Sequence, residues 1–170
     1  MDNRLDALDV ALSNETSERE FYLAHARKTG NPLGKEMFLM IADDELEHYE
    51  RLKDLHEKLK DRKMWPESVP LSVKQTKVRS LIDALNSAPD AGQTSEDDLE
   101  ALRVAAEFEA KGVDFYARLR DESTDPREKA FFAMLSGIER EHYLALKDAE
   151  EYLKDPEGWL RRTERGSLDG

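Results

Sequence analysis

A set of four residues suited to metal binding occurs twice in the sequence. Each set contains a Glu, a Tyr seven residues later, and then a Glu followed three residues later by a His. The first set is Glu15, Tyr22, Glu45 and His48, and the second, displaced by 94 positions, is Glu109, Tyr116, Glu139 and His142. Carboxylate and imidazole groups together suit iron, manganese or zinc. The sequence therefore contains two copies of one candidate metal-ligand set.

The two sets belong to a longer internal repeat. Residues 7–54 align with residues 101–148 without a gap and match at 18 of 48 positions, whereas unrelated segments of ordinary composition match at roughly one position in fifteen. The matches also include apolar residues: Ala7, Leu8, Val10, Ala11, Phe21, Phe38, Met40 and Leu52. The repeat therefore indicates the duplication of a packed structural unit.

The spacing within each set suits helices. A Glu and a His three residues apart project from one side of a helix, so each Glu-His pair would present two ligands to one point. Glu15 and Glu109 lie within apolar stripes, where an unpaired carboxylate would be unfavourable by several kcal/mol. Two divalent cations would neutralise the four carboxylates. The spacing also places Tyr22 and Tyr116 on the ligand face, where each could hydrogen-bond a carboxylate of the opposing repeat.

Apolar residues at steps of three and four predict four long helices, and the segments between them contain Pro, Gly and Asn. The predicted first pair occupies about 5–60 with a turn at 29–32, and the second pair occupies about 96–154 with a turn at 123–126. A connector at 62–95 lacks a repeat counterpart and has a candidate short helix at 72–85. Residues 155–170 are predicted to dock as a tail. Because helices of ~25 residues are ~38 Å long, the connector can return along the whole bundle.

Composition supports an all-α fold in a single domain. The 170 residues are 38 % charged and 39 % hydrophobic, with few aromatic residues. The formal net charge of −12 argues against nucleic-acid and anionic-membrane partners, which require a basic surface. The longest apolar stretch, residues 37–42, is far shorter than the ~20 residues of a membrane span. We therefore expect a soluble, cytoplasmic protein.

The sequence contains no cysteine. This excludes disulfides, thiolate-bound zinc, iron–sulfur clusters and cysteine nucleophiles within these residues. Any metal ligands must therefore be oxygen or nitrogen atoms.

The paired pattern resembles the ferritin-like di-iron carboxylate proteins and, among them, the rubrerythrins. The resemblance extends over residues 5–154. It depends on both complete sets of four residues, since an isolated Glu-x-x-His motif would be weak evidence for the family. It implies a ferritin-like four-helix bundle made of two repeated helix pairs joined by a long crossover connection. It also implies specific roles for the six candidate ligands: terminal carboxylates at Glu15 and Glu109, bridging carboxylates at Glu45 and Glu139, and terminal imidazoles at His48 and His142.

Rubrerythrin-like proteins reduce hydrogen peroxide at such a site, so the resemblance implies two iron ions as cofactors, although manganese or zinc would also suit the ligands. Many relatives carry a four-cysteine rubredoxin domain that feeds electrons to the site. Because this chain lacks cysteine, we expect a separate electron donor, such as a rubredoxin or a reductase. We also expect a homodimer.

A second departure from the family concerns an additional carboxylate. In rubrerythrins the ligand on the third helix is followed three residues later by another Glu, which can exchange with a His as an iron ligand. Here that position is Gly112, and its counterpart in the first repeat is Glu18. Glu18 is therefore a candidate extra ligand, with a solvated residue on a charged helix as the alternative.

Three functions fit these observations. The first is an oxidoreductase that reduces hydrogen peroxide, with dioxygen as a further oxidant. The second is a ferroxidase or an iron storage and handling protein, which would share the same ligands. The third is a structural or regulatory bundle that binds metal without turnover.

Overall fold

The computed structural model describes residues 3–62 and 95–166, and these ranges are helical except at short turns. They contain the helices α1 (Asn3–Lys28), α2 (Pro32–Arg62), α3 (Glu96–Glu122), α4 (Pro126–Lys154) and α5 (Pro156–Gly166). The bounds of the four long helices agree with the predicted ones to within two residues. The candidate helix at 72–85 lies outside the described residues. None of the described helices combines the length and apolarity needed to cross a bilayer.

Side-chain caps fix where the long helices begin. Ser95 and Asp98 form a reciprocal capping box at α3, each accepting a hydrogen bond of 3.1 Å from the backbone N–H of the other. Asp125 accepts from the backbone N–H of Arg127 at 2.8 Å and precedes a Pro in the first turn of α4. Asn31, the repeat counterpart of Asp125, accepts from the backbone N–H of Gly34 at 3.2 Å. The duplicated turns therefore start α2 and α4 in the same way.

The helices pack as two antiparallel pairs, α1 with α2 and α3 with α4. His56 near the end of α2 lies 3.1 Å from Asp9 near the start of α1. At the opposite end of α1, Thr29 donates a hydrogen bond to Asp98 at the start of α3. The end of α2 and the start of α3 therefore lie at opposite ends of the bundle. The predicted all-α bundle of two repeated helix pairs is confirmed.

Two apolar clusters fill the bundle, and residues of one cluster are the repeat counterparts of residues in the other. One cluster contains Leu8, Ala11, Leu52, Tyr116 and Phe132. The other contains their repeat counterparts: Leu102, Ala105, Leu146, Tyr22 and Phe38. Full burial of each large apolar side chain contributes roughly 1.5–3 kcal/mol. The repeats therefore pack about a pseudo-two-fold axis, with an apolar cluster on either side of the polar layer described below.

The predicted tail is largely a fifth helix. Asp155 accepts a hydrogen bond of 3.0 Å from the backbone N–H of Gly158, and Pro156 occupies the first turn, so α5 begins immediately after α4 ends. Trp159 is buried against Tyr152 in an edge-to-face arrangement with ring centroids 5.4 Å apart. Its indole N–H donates to Asp148 at 3.2 Å. The aromatic contact attaches α5 to α4.

Candidate metal centre

A layer of acidic and imidazole side chains lies inside the bundle. Every member is at most 6 % exposed, although each is ionisable. The layer consists of the six candidate ligands: Glu15, Glu45, His48, Glu109, Glu139 and His142. Each of the four long helices contributes to it, so the site forms only when the two repeats pack together.

The six side chains divide into two overlapping groups of four. In each group, one oxygen or nitrogen atom from every residue lies within 4.8 Å of the others. Glu45 and Glu139 belong to both groups, whereas Glu15 with His48 belongs to one and Glu109 with His142 belongs to the other. The site therefore has two neighbouring positions at which a cation could bind, and these positions share two carboxylates.

Glu45 has the geometry of a carboxylate shared between two positions. Its Oε2 atom lies 3.0 Å from Nδ1 of His48, and its Oε1 atom lies 3.2 Å from Nδ1 of His142. The two imidazole rings are nearly parallel, with centroids 5.7 Å apart. Both histidines thus direct Nδ1 toward the interior of the site.

Several buried polar atoms in this layer make no hydrogen bond. They are Glu45 Oε1, Glu109 Oε2, both carboxylate oxygens of Glu139, and Nδ1 of His142. Buried polar atoms are normally hydrogen-bonded, and an unpaired buried carboxylate is strongly unfavourable. These donor atoms are also of the types that iron, manganese and zinc accept. The cluster therefore fits a pair of metal ions.

Two tyrosines connect the repeats across the site. The hydroxyl of Tyr22 on α1 donates to Oε1 of Glu109 on α3, and the hydroxyl of Tyr116 on α3 donates to Oε1 of Glu15 on α1. Burial and the adjacent carboxylates raise the pKa of both phenols well above the ordinary value, so each keeps the proton that it donates. Each hydrogen bond leaves the other oxygen of its carboxylate directed to the layer's interior.

Burial and mutual repulsion favour the protonated forms of Glu139 and Glu15, whereas His48 and His142 outweigh burial at Glu45 and lower its pKa. Burial, followed by the charges of Glu109 and Glu45, raises the pKa of Glu139 well above its ordinary value. Burial is also the main cause that raises the pKa of Glu15 to about 7. Burial opposes the charged form of His48, but Glu45 and Glu15 outweigh it and raise its pKa to about 10. The layer thus favours positive charge in its interior, as a metal site should.

Comparison with known proteins identifies the family. The family model for rubrerythrin matches residues 6–150. The chain belongs to the rubrerythrin family. A structure of a hypothetical protein from Pyrococcus furiosus is similar with a TM-score of 0.64 and 23 % sequence identity, covering 89 % of this chain and 90 % of that one. This likeness supports the fold alone. A comparison with curated proteins found no significant match.

Gly112 and Glu18 occupy equivalent positions of the two repeats, and Gly112 is where this chain departs from the rubrerythrin pattern. A Cβ atom at residue 112 would lie 2.8 Å from Oε2 of Glu139, so Glu139 occupies the space beside the glycine. Glu18 is partly buried, and burial, Glu45 and Glu15 raise its pKa to about 10. The carboxyl group therefore faces the acidic layer and is not a fully solvated residue.

One contact was not predicted from the sequence. Oδ2 of Asp44 on α2 lies 3.3 Å from Nε2 of His142 on α4, on the side of the ring that faces away from the other ligands. The repeat counterpart of Asp44 is Ile138, so the duplication gave no indication of it. The one available signal was that Asp44 precedes His48 by four residues and therefore shares its helix face.

Proposed function

We propose that this rubrerythrin-family chain binds two iron ions and reduces hydrogen peroxide with electrons from a separate donor protein. The observation that carries the proposal is the pair of ligand groups sharing Glu45 and Glu139. In this proposal Glu15 and His48 would hold one ion, Glu109 and His142 would hold the other, and Glu45 and Glu139 would be available to both. The net charge of four carboxylates would then be balanced by two divalent ions.

Peroxide reduction needs two electrons and two protons to convert one H₂O₂ into two H₂O, and a pair of ferrous ions would supply both electrons. The protein residues provide the environment. The apolar clusters on either side of the layer limit access of bulk water. Tyr22 and Tyr116 hold the two terminal carboxylates in position, so the ligand geometry is set before the oxidant arrives.

A separate donor would have to restore the ferrous state after each turnover. The 170 residues of this chain contain no cysteine and therefore no four-cysteine iron centre. A rubredoxin or a reductase would serve as donor. Sustained turnover of the isolated chain with peroxide should accordingly require an added electron donor.

Anaerobic stopped-flow spectroscopy of the ferrous-loaded protein tests this function. We expect peroxide to oxidise the iron at least about tenfold faster than dioxygen, as the family assignment implies. Glu45→Ala should abolish the rapid phase, because it removes the carboxylate that faces both histidines, whereas Glu50→Ala on the exposed face of α2 should not. Equal or faster oxidation by dioxygen would support a ferroxidase instead. Bound iron that neither oxidant reacts with would support a structural or regulatory bundle.

A further inference from the structure

The repeat allows the two halves of the site to be compared residue by residue, and two of the differences place a partly buried acidic residue beside the ligands in one repeat alone. Glu18 corresponds to Gly112, and Asp44 corresponds to Ile138. In both cases the acidic residue belongs to the first repeat. The pseudo-two-fold axis relates the six ligands in pairs, so these two acidic residues add negative charge on one side of that symmetry.

Asp44 contacts one histidine only. Its Oδ2 atom lies 3.3 Å from Nε2 of His142, and the isoleucine at the equivalent position offers His48 no such acceptor. An imidazole whose outer N–H donates to a carboxylate is held in one tautomer and orientation and is a more basic ligand through its other nitrogen. Asp44 therefore acts on the half of the site that contains His142.

Glu18 faces the same half. It follows Glu15 by three residues, which places the two side chains within about 60° on α1. Besides the shared Glu45 and its helix neighbour Glu15, the charges that act on its carboxyl group are those of Glu109 and His142. Residue 112 lies beside Glu139, and the pseudo-symmetry pairs that contact with Glu18 beside Glu45, one of the two shared carboxylates. With glycine at position 112, the other half lacks an equivalent carboxylate.

The six ligands themselves are arranged similarly in the two halves. Nδ1 of His142 lies 3.2 Å from Oε1 of Glu45 and 3.5 Å from Oε2 of Glu109. In the other half, Nδ1 of His48 lies 3.0 Å from Oε2 of Glu45 and 3.2 Å from Oε2 of Glu15. The difference between the halves therefore lies in Asp44 and Glu18.

We propose that the two metal positions are inequivalent and that the one between Glu109 and His142 binds a divalent cation more tightly. Glu18 supplies an additional carboxylate ligand there, and Asp44 is a positioning residue that orients His142. The added negative charge in a buried site strengthens attraction for the cation. This inference rests on the proposed two-metal site but does not depend on the oxidant or on peroxide turnover.

Titration with Co²⁺, followed by its optical bands and by competition with a chelator, tests the inference without redox chemistry. The wild-type chain should bind in two steps whose dissociation constants differ at least about tenfold. Glu18→Gln and Asp44→Asn should each weaken the tighter step by about 10- to 100-fold and leave the weaker step nearly unchanged. Glu20→Gln, an exposed residue on the same helix, is the matched control and should change neither step.

The outcomes separate this inference from the proposed function. Two steps of equal affinity, or variants that weaken both steps equally, would overturn the inequivalence and leave the two-metal site intact. Binding of only one Co²⁺ would overturn both. At one equivalent of Co²⁺, anomalous scattering from crystals should show the ion beside Glu109 and His142, and occupancy beside Glu15 and His48 would contradict the assignment.

Thermal unfolding distinguishes a ligand from a merely structural residue at position 18. The metal-free Glu18→Gln variant should melt at or above the wild-type temperature, because the change removes a carboxyl group from a crowded acidic layer. Its stabilisation by added Co²⁺ should be smaller than that of wild type. A large loss of stability without metal, accompanied by a normal response to Co²⁺, would show that Glu18 serves the fold.

Discussion

The hydroxyl of Tyr22 on α1 donates a hydrogen bond to Glu109 on α3. Because the chain contains an internal repeat, Tyr116 on α3 donates the equivalent hydrogen bond to Glu15 on α1. Each tyrosine also stacks against a phenylalanine of its own apolar cluster. The ring centroids of Tyr22 and Phe38 lie 6.1 Å apart, and those of Tyr116 and Phe132 lie 6.4 Å apart. The tyrosines therefore link the apolar core of the bundle to the carboxylates of the opposing repeat.

Replacing Tyr22 with Phe should weaken metal binding while preserving the packing. The phenyl ring keeps nearly all of the volume, but Glu109 loses the donor that orients it. Loss of such a partner typically lowers metal affinity 10- to 100-fold. Chelator competition with Co²⁺ would measure this, and Tyr143→Phe, a partly buried tyrosine outside the ligand layer, is the control. Unchanged affinity in Tyr22→Phe would show that the hydrogen bond does not position the carboxylate.

Replacing Gly112 with Ala should disturb the site more than the fold. The new methyl group would lie 2.8 Å from Oε2 of Glu139 and would displace this shared carboxylate. Alanine is favoured over glycine within a helix by up to about 1 kcal/mol, so the metal-free protein should lose little stability. We expect metal affinity to fall at least about tenfold.

Gly137→Ala is the matched control for this change. Gly137 lies on α4, and a Cβ atom there would meet nothing within 4 Å. This variant should bind metal normally and should be slightly more stable, as measured by chemical denaturation. Equal metal affinity in the two alanine variants would contradict the packing role assigned to Gly112.

Replacing Glu150 with Gln should reduce stability in a pH-dependent way, away from the metal centre. Burial opposes ionisation, but Lys147 at 2.5 Å, Lys154 and Arg103 at 3.0 Å outweigh it and lower the pKa of Glu150 to about 2. A lowered folded-state pKa stabilises the fold above the unfolded value near 4.5, and this contribution is lost as the pH falls toward 2.

The three cationic partners of Glu150 are themselves partly exposed, so solvent screening limits the effect to about 1–2 kcal/mol at pH 7. Denaturant unfolding at pH 7 and at about pH 3 would measure it, and the difference from wild type should shrink at the lower pH. Glu151→Gln, whose exposed side chain lies 3.6 Å from Arg162, should change stability by less than about 0.5 kcal/mol at either pH. A pH-independent loss in Glu150→Gln would refute the ionic explanation.

The internal repeat explains why so much of the bundle could be predicted. Apolar spacing and the turns at Asn31 and Asp125 indicated the helix bounds independently in each repeat, and the two sets of bounds agreed. The length of the connector at 62–95 allowed α3 to start at the opposite end of the bundle from the end of α2. The repeat could also predict that the six acidic and imidazole residues converge, because unpaired carboxylates at 15 and 109 would be unfavourable in an apolar stripe.

Features without a repeat counterpart could not be predicted from the internal repeat. The Asp44–His142 contact depends on how α2 and α4 pack, and Asp44 lies in a run of acidic residues in which no single carboxylate stands out. The helical form of the tail depends on Asp155 capping α5 and on Trp159 packing against α4, which are tertiary details. The contact of Gly112 with Glu139 likewise arises from helix packing, although the departure at that position was visible in the sequence.

The most direct test of the central claim is the number of ferrous ions that one chain binds. Anaerobic titration followed by metal analysis should give two per chain, because Glu45 and Glu139 are shared by two ligand groups. The double variant Glu45→Ala/Glu139→Ala should lose both ions, while circular dichroism confirms that it stays helical. A single ion per chain in the wild-type protein, or binding of two ions that survives removal of both shared carboxylates, would contradict the dinuclear centre.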